Sequence, residues 1–128
     1  MRAQVVRVPE GAGVHEFLEK YITEHGLKGG LVLGIGGLKH AVIGYLDLAT
    51  RQYRVVELES SETALEVASL LGNYFARPDG TIRIHVHVVV GTPSGSHAGH
   101  LISGVVYPFL EVFLVELGEG VAAKLGQK

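Results

Sequence analysis

Cysteine is missing from this chain, which excludes disulfides, thiolate metal sites and a cysteine nucleophile together. Any bound metal would have to take nitrogen or oxygen donors. Basic runs are missing as well: eleven Lys and Arg are scattered among thirteen Asp and Glu, for a formal charge of −2. A domain that wraps nucleic acid carries clustered cations to neutralise phosphates, so DNA as a partner has no electrostatic support short of a local patch assembled by folding. No apolar run is long enough to span a membrane, because Gly, His or a charged residue interrupts each one. The opening Met1-Arg2-Ala3-Gln4 lacks a secretion-signal pattern, so the expected location is the cytoplasm, with no membrane partner. There is no linker, repeat or low-complexity tract. Residues 1–128 are therefore expected to form a single domain, with a core over about 3–117 and a loose polar tail at 118–128.

What is present is an apolar chain, 47% hydrophobic and 19% charged. At this length a domain buries about two-thirds of the surface its unfolded chain exposes. Hiding so apolar a surface is consistent with an oligomer interface. Residues 3–8 read as a β-branched strand ended by Pro9. Val14, Phe17, Leu18, Tyr21 and Ile22 recur at helical spacing and predict a helix over 14–25, with His25 in its last turn and Gly26 as C-cap. Strands are expected at 31–35 and 41–48, separated by Gly36-Gly37-Leu38-Lys39-His40, and at 50–59. Residues 62–74 fit a buried strand or a short helix, and periodicity does not choose between them. Arg77-Pro78-Asp79-Gly80 is a turn by composition. A long strand at 81–91, a loop at 92–99, a returning strand at 100–107 and a last strand at 109–117 complete the reading, with Pro108 as punctuation. The expected fold class is α/β in the α+β sense: a mainly antiparallel sheet with one main helix packed on it.

The sharpest local feature is Ile84-His85-Val86-His87-Val88. On a strand, side chains at i and i+2 leave the same face, about 6.6 Å apart along the chain. Two imidazoles so placed can tilt toward one ion, since a Zn–N bond is about 2.0–2.1 Å. Ile84, Val86 and Val88 then face the core. If residues 92–99 make a hairpin, His100 begins the strand returning beside the pair and supplies a third nitrogen. His97 lies within that loop. The competing interpretation is that His85 and His87 line a polar interface and only hydrogen-bond to their neighbours. His15 and His40 are assigned to surface or loop.

Two glycine motifs fail on inspection. Gly34-Ile35-Gly36-Gly37 would need glycine at Lys39 to complete a dinucleotide loop, and no G-K-[ST] follows. Gly95-Ser96-His97-Ala98-Gly99 has histidine where a nucleophile elbow needs serine. Glu66 and Glu111 interrupt apolar runs, where an unpaired carboxylate would be costly. They are expected to face outward or across an oligomer seam, the alternative being a metal ligand or a base.

Taken in order, these segments resemble the PPC (plant and prokaryote conserved) domain. The resemblance rests on Leu33-Gly34-Ile35-Gly36-Gly37-Leu38 with Ala41-Val42-Ile43-Gly44-Tyr45, and on Glu66-Val67-Ala68-Ser69-Leu70-Leu71-Gly72-Asn73 for the E-[IV]-x-S-L-x-G-N segment. Ile84-His85-Val86-His87, Gly91 and Gly99-His100-Leu101 match H-x-H … G-H-L, and Glu111-Val112 matches the acidic residue of the last strand. The resemblance implies an α/β fold with a mainly antiparallel sheet, assembled as a homotrimer. It also implies a metal site at His85, His87 and His100, for zinc or a similar divalent ion. In plants the domain follows AT-hook motifs in nuclear DNA-binding proteins, and bacterial members carry a DNA-binding label by that association. Here the family's G-G-H-L reads Ala98-Gly99-His100-Leu101, and the AT-hook core is absent. Three readings follow: a trimeric metal-binding domain, a DNA-associated protein, and an assembly module whose histidines serve a subunit seam.

Overall fold

The computed structural model describes residues 2–126; Met1, Gln127 and Lys128, the extremes of the expected domain and tail, lie outside the described residues. The elements are β1 (Arg2–Pro9), α1 (Val14–Glu24), β2 (Gly29–Leu46), β3 (Tyr53–Glu59), β4 (Leu65–Ala76), β5 (Ile82–Thr92), β6 (Gly95–Glu116) and α2 (Gly120–Leu125). The strands lie in the order β1-β6-β5-β4-β2-β3, and β6 also pairs with β2. That extra pairing closes β2, β4, β5 and β6 into a ring, with β1 and β3 hung on its outside. All pairings are antiparallel. The chain is thus a single α+β domain built on one curled sheet with one main helix.

α1 forms where the periodicity places it. Val14, Leu18 and Ile22 are fully buried, each worth about 1.5–3 kcal/mol of transfer free energy. His25 caps the helix, donating from Nδ1 to the Tyr21 carbonyl at 2.9 Å and stacking on the Tyr21 ring at 3.9 Å. Gly26 follows at φ +62, the left-handed turn that glycine adopts at little cost.

The ambiguous segment is a strand. Leu65, Val67, Leu70 and Tyr74 of β4 face the core, but the alternation slips at a register shift between Val67 and Ser69. One added residue turns a period of two into spacings that also suit a helix. The expected break at residues 36–40 does not occur, and β2 runs through it. Gly36 and Gly37 sit in irregularities of the pairing with β4 and β6, where an added Cβ would collide with the Phe109 and Tyr107 carbonyls. They permit a close crossing of strands and not a turn. β6 likewise runs through Pro108, because the pairing jumps from Leu38↔Val106 to Gly36↔Leu110 and no ladder bond is asked of its nitrogen.

The expected loop at 92–99 shrinks to a tight connection at Pro93 and Ser94, with Thr92 already opposite Gly95; His97 is therefore a strand residue. β3 begins at Tyr53 and not at Thr50, because Asp47 organises a turn before it. The Asp47 carboxylate accepts from the Ala49 and Thr50 amides at 2.8 and 3.0 Å and from Arg54 Nε at 2.6 Å. The tail, expected to be loose, carries α2. Val121 seats against Gly29, where any Cβ would fill its place.

One polar group lies within the core wall. Glu116 accepts from Tyr74 Oη at 2.7 Å, from the Lys28 amide at 2.9 Å and from the Gly29 amide at 3.2 Å. Burial alone would raise its pKa, but these hydrogen bonds win and hold the carboxyl below its ordinary value. The same contact, together with burial, pushes the Tyr74 hydroxyl far upward.

Candidate metal centre

The histidines are positioned by a fork in the sheet. β5 and β6 pair from Thr92↔Gly95 back to His87↔His100. At His100, β6 is already opposite Gly44 of β2, and from there it leaves β5 for β2. The first half of β5 is left with β4 on one side and α1 approaching on the other. Val86, Val88 and Val90 point into the core, so the period of two turns His85 and His87 outward. The close approach behind them is secured by Gly72, where a Cβ would overlap the His85 carbonyl.

At the fork the three rings converge. His85 lies 5.2 Å from His87 and 5.3 Å from His100 between centroids, and His87 lies 5.5 Å from His100. One ring nitrogen from each falls within 4.8 Å of the other two, a span that modest rotation about χ2 closes onto one ion. Tyr53 of β3 stacks on His100 at 5.1 Å. It fits there because Gly44 has no side chain: a Cβ would come within 2.8 Å of the Tyr53 ring.

The electrostatics favour the neutral imidazole at His85 and at His100. Burial lowers the pKa of His85, helped by the charge of Arg83 and by His87. Burial also lowers His100, with further contributions from His85, His87, His15 and Arg83. A neutral ring offers the lone pair a metal needs. Among the described residues the Nδ1 of His100 is buried without a hydrogen-bond partner, as is Oδ1 of Asn73, which sits directly opposite His85 on β4. Unpartnered buried polar atoms are costly in a protein interior.

The remaining candidates separate. Glu66 and Glu111 are exposed and face outward, away from any ligand role at the triad; Glu111 stands opposite Arg7 on β1. His97 is exposed on β6, opposite Val90. A second cluster joins His40 of β2 to β3, with His40 Nε2 at 2.6 Å from Glu57 and 3.6 Å from Glu59.

Residues 1–118 match the model of the Plants and Prokaryotes Conserved (PCC) domain. The chain belongs to this family. Among solved structures, a metal-containing protein from Archaeoglobus fulgidus is 30% identical with a TM-score of 0.82, covering 92% of this chain and 81% of that one. A PPC protein from Pyrococcus horikoshii is 33% identical with a TM-score of 0.81, covering 91% and 78%. A candidate DNA-binding protein from Bacteroides thetaiotaomicron shares the fold at 21% identity and a TM-score of 0.81, covering 90% and 78%. No curated protein matches the sequence.

Four residues of this PCC domain bear on the triad without having been singled out for it in the sequence. Arg83 precedes His85 by two positions, so extending the same alternation would have found it. His15, assigned to surface or loop, is half-buried at the start of α1. Burial lowers its pKa, opposed by Glu16, Glu19 and the Leu101 backbone. Tyr53 and Asn73 reach the site from other strands, and no local pattern announces them. No helix among the described residues is long and apolar enough to cross a membrane.

Proposed function

We propose that this PCC-domain protein binds one divalent metal ion, zinc or a close equivalent, through His85, His87 and His100. The observation that carries the reading is the convergence of three imidazoles at the β5–β6 fork, one of them with a buried nitrogen lacking any partner. Three nitrogen donors without thiolate suit zinc and its borderline neighbours better than calcium or magnesium, which prefer oxygen. The metal content of the Archaeoglobus fulgidus relative is in keeping with this. Bound at three protein donors, such an ion would supply a Lewis-acidic centre with room for an external ligand. The chain's own part is to hold the rings. The β5–β6 pairing fixes their spacing, Tyr53 braces His100, and burial disfavours protonation of His85 and His100.

We further propose assembly as a homotrimer, the state implied by the family. One row of the sheet supports self-association: Val5, Phe113, Leu33, Leu71 and His87 stand opposite one another in register across five strands. The four apolar members are 39% to 70% exposed, and so continuous an apolar row on a sheet face marks an interaction surface.

The test is metal content of untagged protein, purified without chelator, by elemental mass spectrometry. About one zinc per chain, lost in His87→Ala with assembly intact, supports the metal centre. A wild-type protein that stays metal-free after incubation with zinc removes it. A variant that falls apart in metal-replete buffer makes the histidines structural instead.

A further inference from the structure

Beside the triad, where β6 leaves β5 and α1 crosses the gap, lies a cleft of about 1010 Å³. His100 and Ile84 lie along it, Glu16 and Glu19 come from the helix side, and Arg77 and Arg83 from the strand side. Two of its three cations already have a polar partner among the described residues. Lys20 stands 4.0 Å from Glu24, and Arg77 donates to Thr81 Oγ1 at 3.3 Å. Arg83 differs. It is only partly exposed, yet among the described residues it forms no ion pair; its guanidinium merely approaches the Phe75 ring at 5.8 Å. A guanidinium presents a fork of donors that matches a carboxylate, and holding one partly desolvated without an anion is unfavourable. By alternation along β5, Arg83 leaves the sheet on the same face as His85 and His87.

We propose that this cleft admits a small carboxylate monoanion, with Arg83 as its counter-ion at the edge of the histidine triad. The assignment builds on the metal-site reading by naming the class of ligand accepted beside it, although Arg83 itself acts with or without the ion. A monoanion is favoured over a phosphate dianion for a reason of charge balance. Arg83, the one guanidinium of the cleft without a hydrogen-bond or ion-pair partner among the described residues, offsets one negative charge, and a second negative charge would face Glu16 and Glu19 across the cleft.

The probes are sodium acetate and inorganic phosphate, each titrated into zinc-loaded protein and into protein stripped by chelator and desalted. The readout is the Nε–Hε resonance of Arg83 in ¹H–¹⁵N spectra, with zinc content measured in parallel. The expected result is a saturable shift at Arg83 with acetate, tighter than with phosphate. Arg83→Gln should weaken acetate about tenfold or more, as losing a charged hydrogen bond implies, with zinc content and spectral dispersion unchanged. Arg83→Lys, which keeps the charge but loses the fork, should fall between. If acetate leaves Arg83 unmoved in both forms, or Arg83→Gln binds it as the wild type does, the proposal is overturned while a zinc-replete protein leaves the metal centre standing. Tighter phosphate binding overturns the carboxylate assignment. Loss of zinc in Arg83→Gln overturns it too, since Arg83 would then be supporting the triad. Acetate bound at Arg83 in a chain that never takes up zinc sinks the metal reading and leaves this one.

Discussion

Replacing Tyr74 with Phe removes one oxygen from a fully buried ring and nothing else. In the wild type that oxygen donates to Glu116 at 2.7 Å, the shortest of the hydrogen bonds the carboxylate accepts. A hydrogen bond to a charged group contributes about 1.5–3 kcal/mol. Glu116 keeps the Lys28 and Gly29 amides, so the carboxylate is not orphaned and about 2 kcal/mol is the expected cost. Unfolding entropy of about 2.1 cal/mol/K per residue over 128 residues amounts to about 270 cal/mol/K, and Tm should therefore fall by about 7 °C. The assay is thermal denaturation followed by circular dichroism, at fixed protein and metal concentration because binding and assembly both move Tm. Glu116→Gln adds the pH dimension. The folded carboxyl titrates below its ordinary value of 4.5, so its stabilisation is complete above that pH and is lost as pH falls further. The wild type should accordingly lose its advantage over Glu116→Gln as the pH is lowered below about 4.5. A Tyr74→Phe protein that melts with the wild type would refute a stabilising role for the Tyr74–Glu116 hydrogen bond.

Other changes test the site and its supports. His100→Ala should reduce zinc affinity by more than the 10–100-fold typical of losing an outer-shell partner, measured by competition with a chromogenic chelator. Gly72→Ala puts a Cβ against the His85 carbonyl; it should lower both Tm and zinc affinity, and an unchanged zinc affinity would mean that the β4–β5 spacing does not set the triad. Leu33→Asp, in the middle of the apolar row, should yield monomers by analytical ultracentrifugation while keeping native circular dichroism. DNA binding, the competing reading, predicts retention of AT-rich duplex with a steep loss on adding salt. For a chain of net charge −2, no retention is expected at micromolar protein and physiological ionic strength.

The sequence by itself determined most of the local structure and the most informative part of the site. The 3.6-residue recurrence of Val14, Leu18 and Ile22 specified α1, because a helix has one apolar face to bury. Alternation along β5 put His85 and His87 on one face opposite Val86 and Val88, since a strand's side chains have no other freedom. The absence of cysteine restricted any metal to nitrogen and oxygen donors. Motif order along the chain was enough to indicate the family. What failed locally failed for one recurring reason. Gly36-Gly37, Pro108 and the slip after Val67 carry turn or helix signals in isolation, yet each sits where two strands cross closely or change register. Such a position is defined only by the partner strand.

Tertiary structure alone decided the rest. That β6 abandons β5 for β2 at His100 follows from long-range pairing, and this fork gathers the three rings, opens the cleft beneath α1 and leaves Arg83 without an ion pair among the described residues. Tyr53 reaches His100 from β3, and Asn73 reaches the edge of the site from β4, through contacts that no spacing along the chain records. A strand's own sequence fixes which face each side chain takes, but which neighbours share that face depends on closing loops of dozens of residues, and only the packed core selects among those closures.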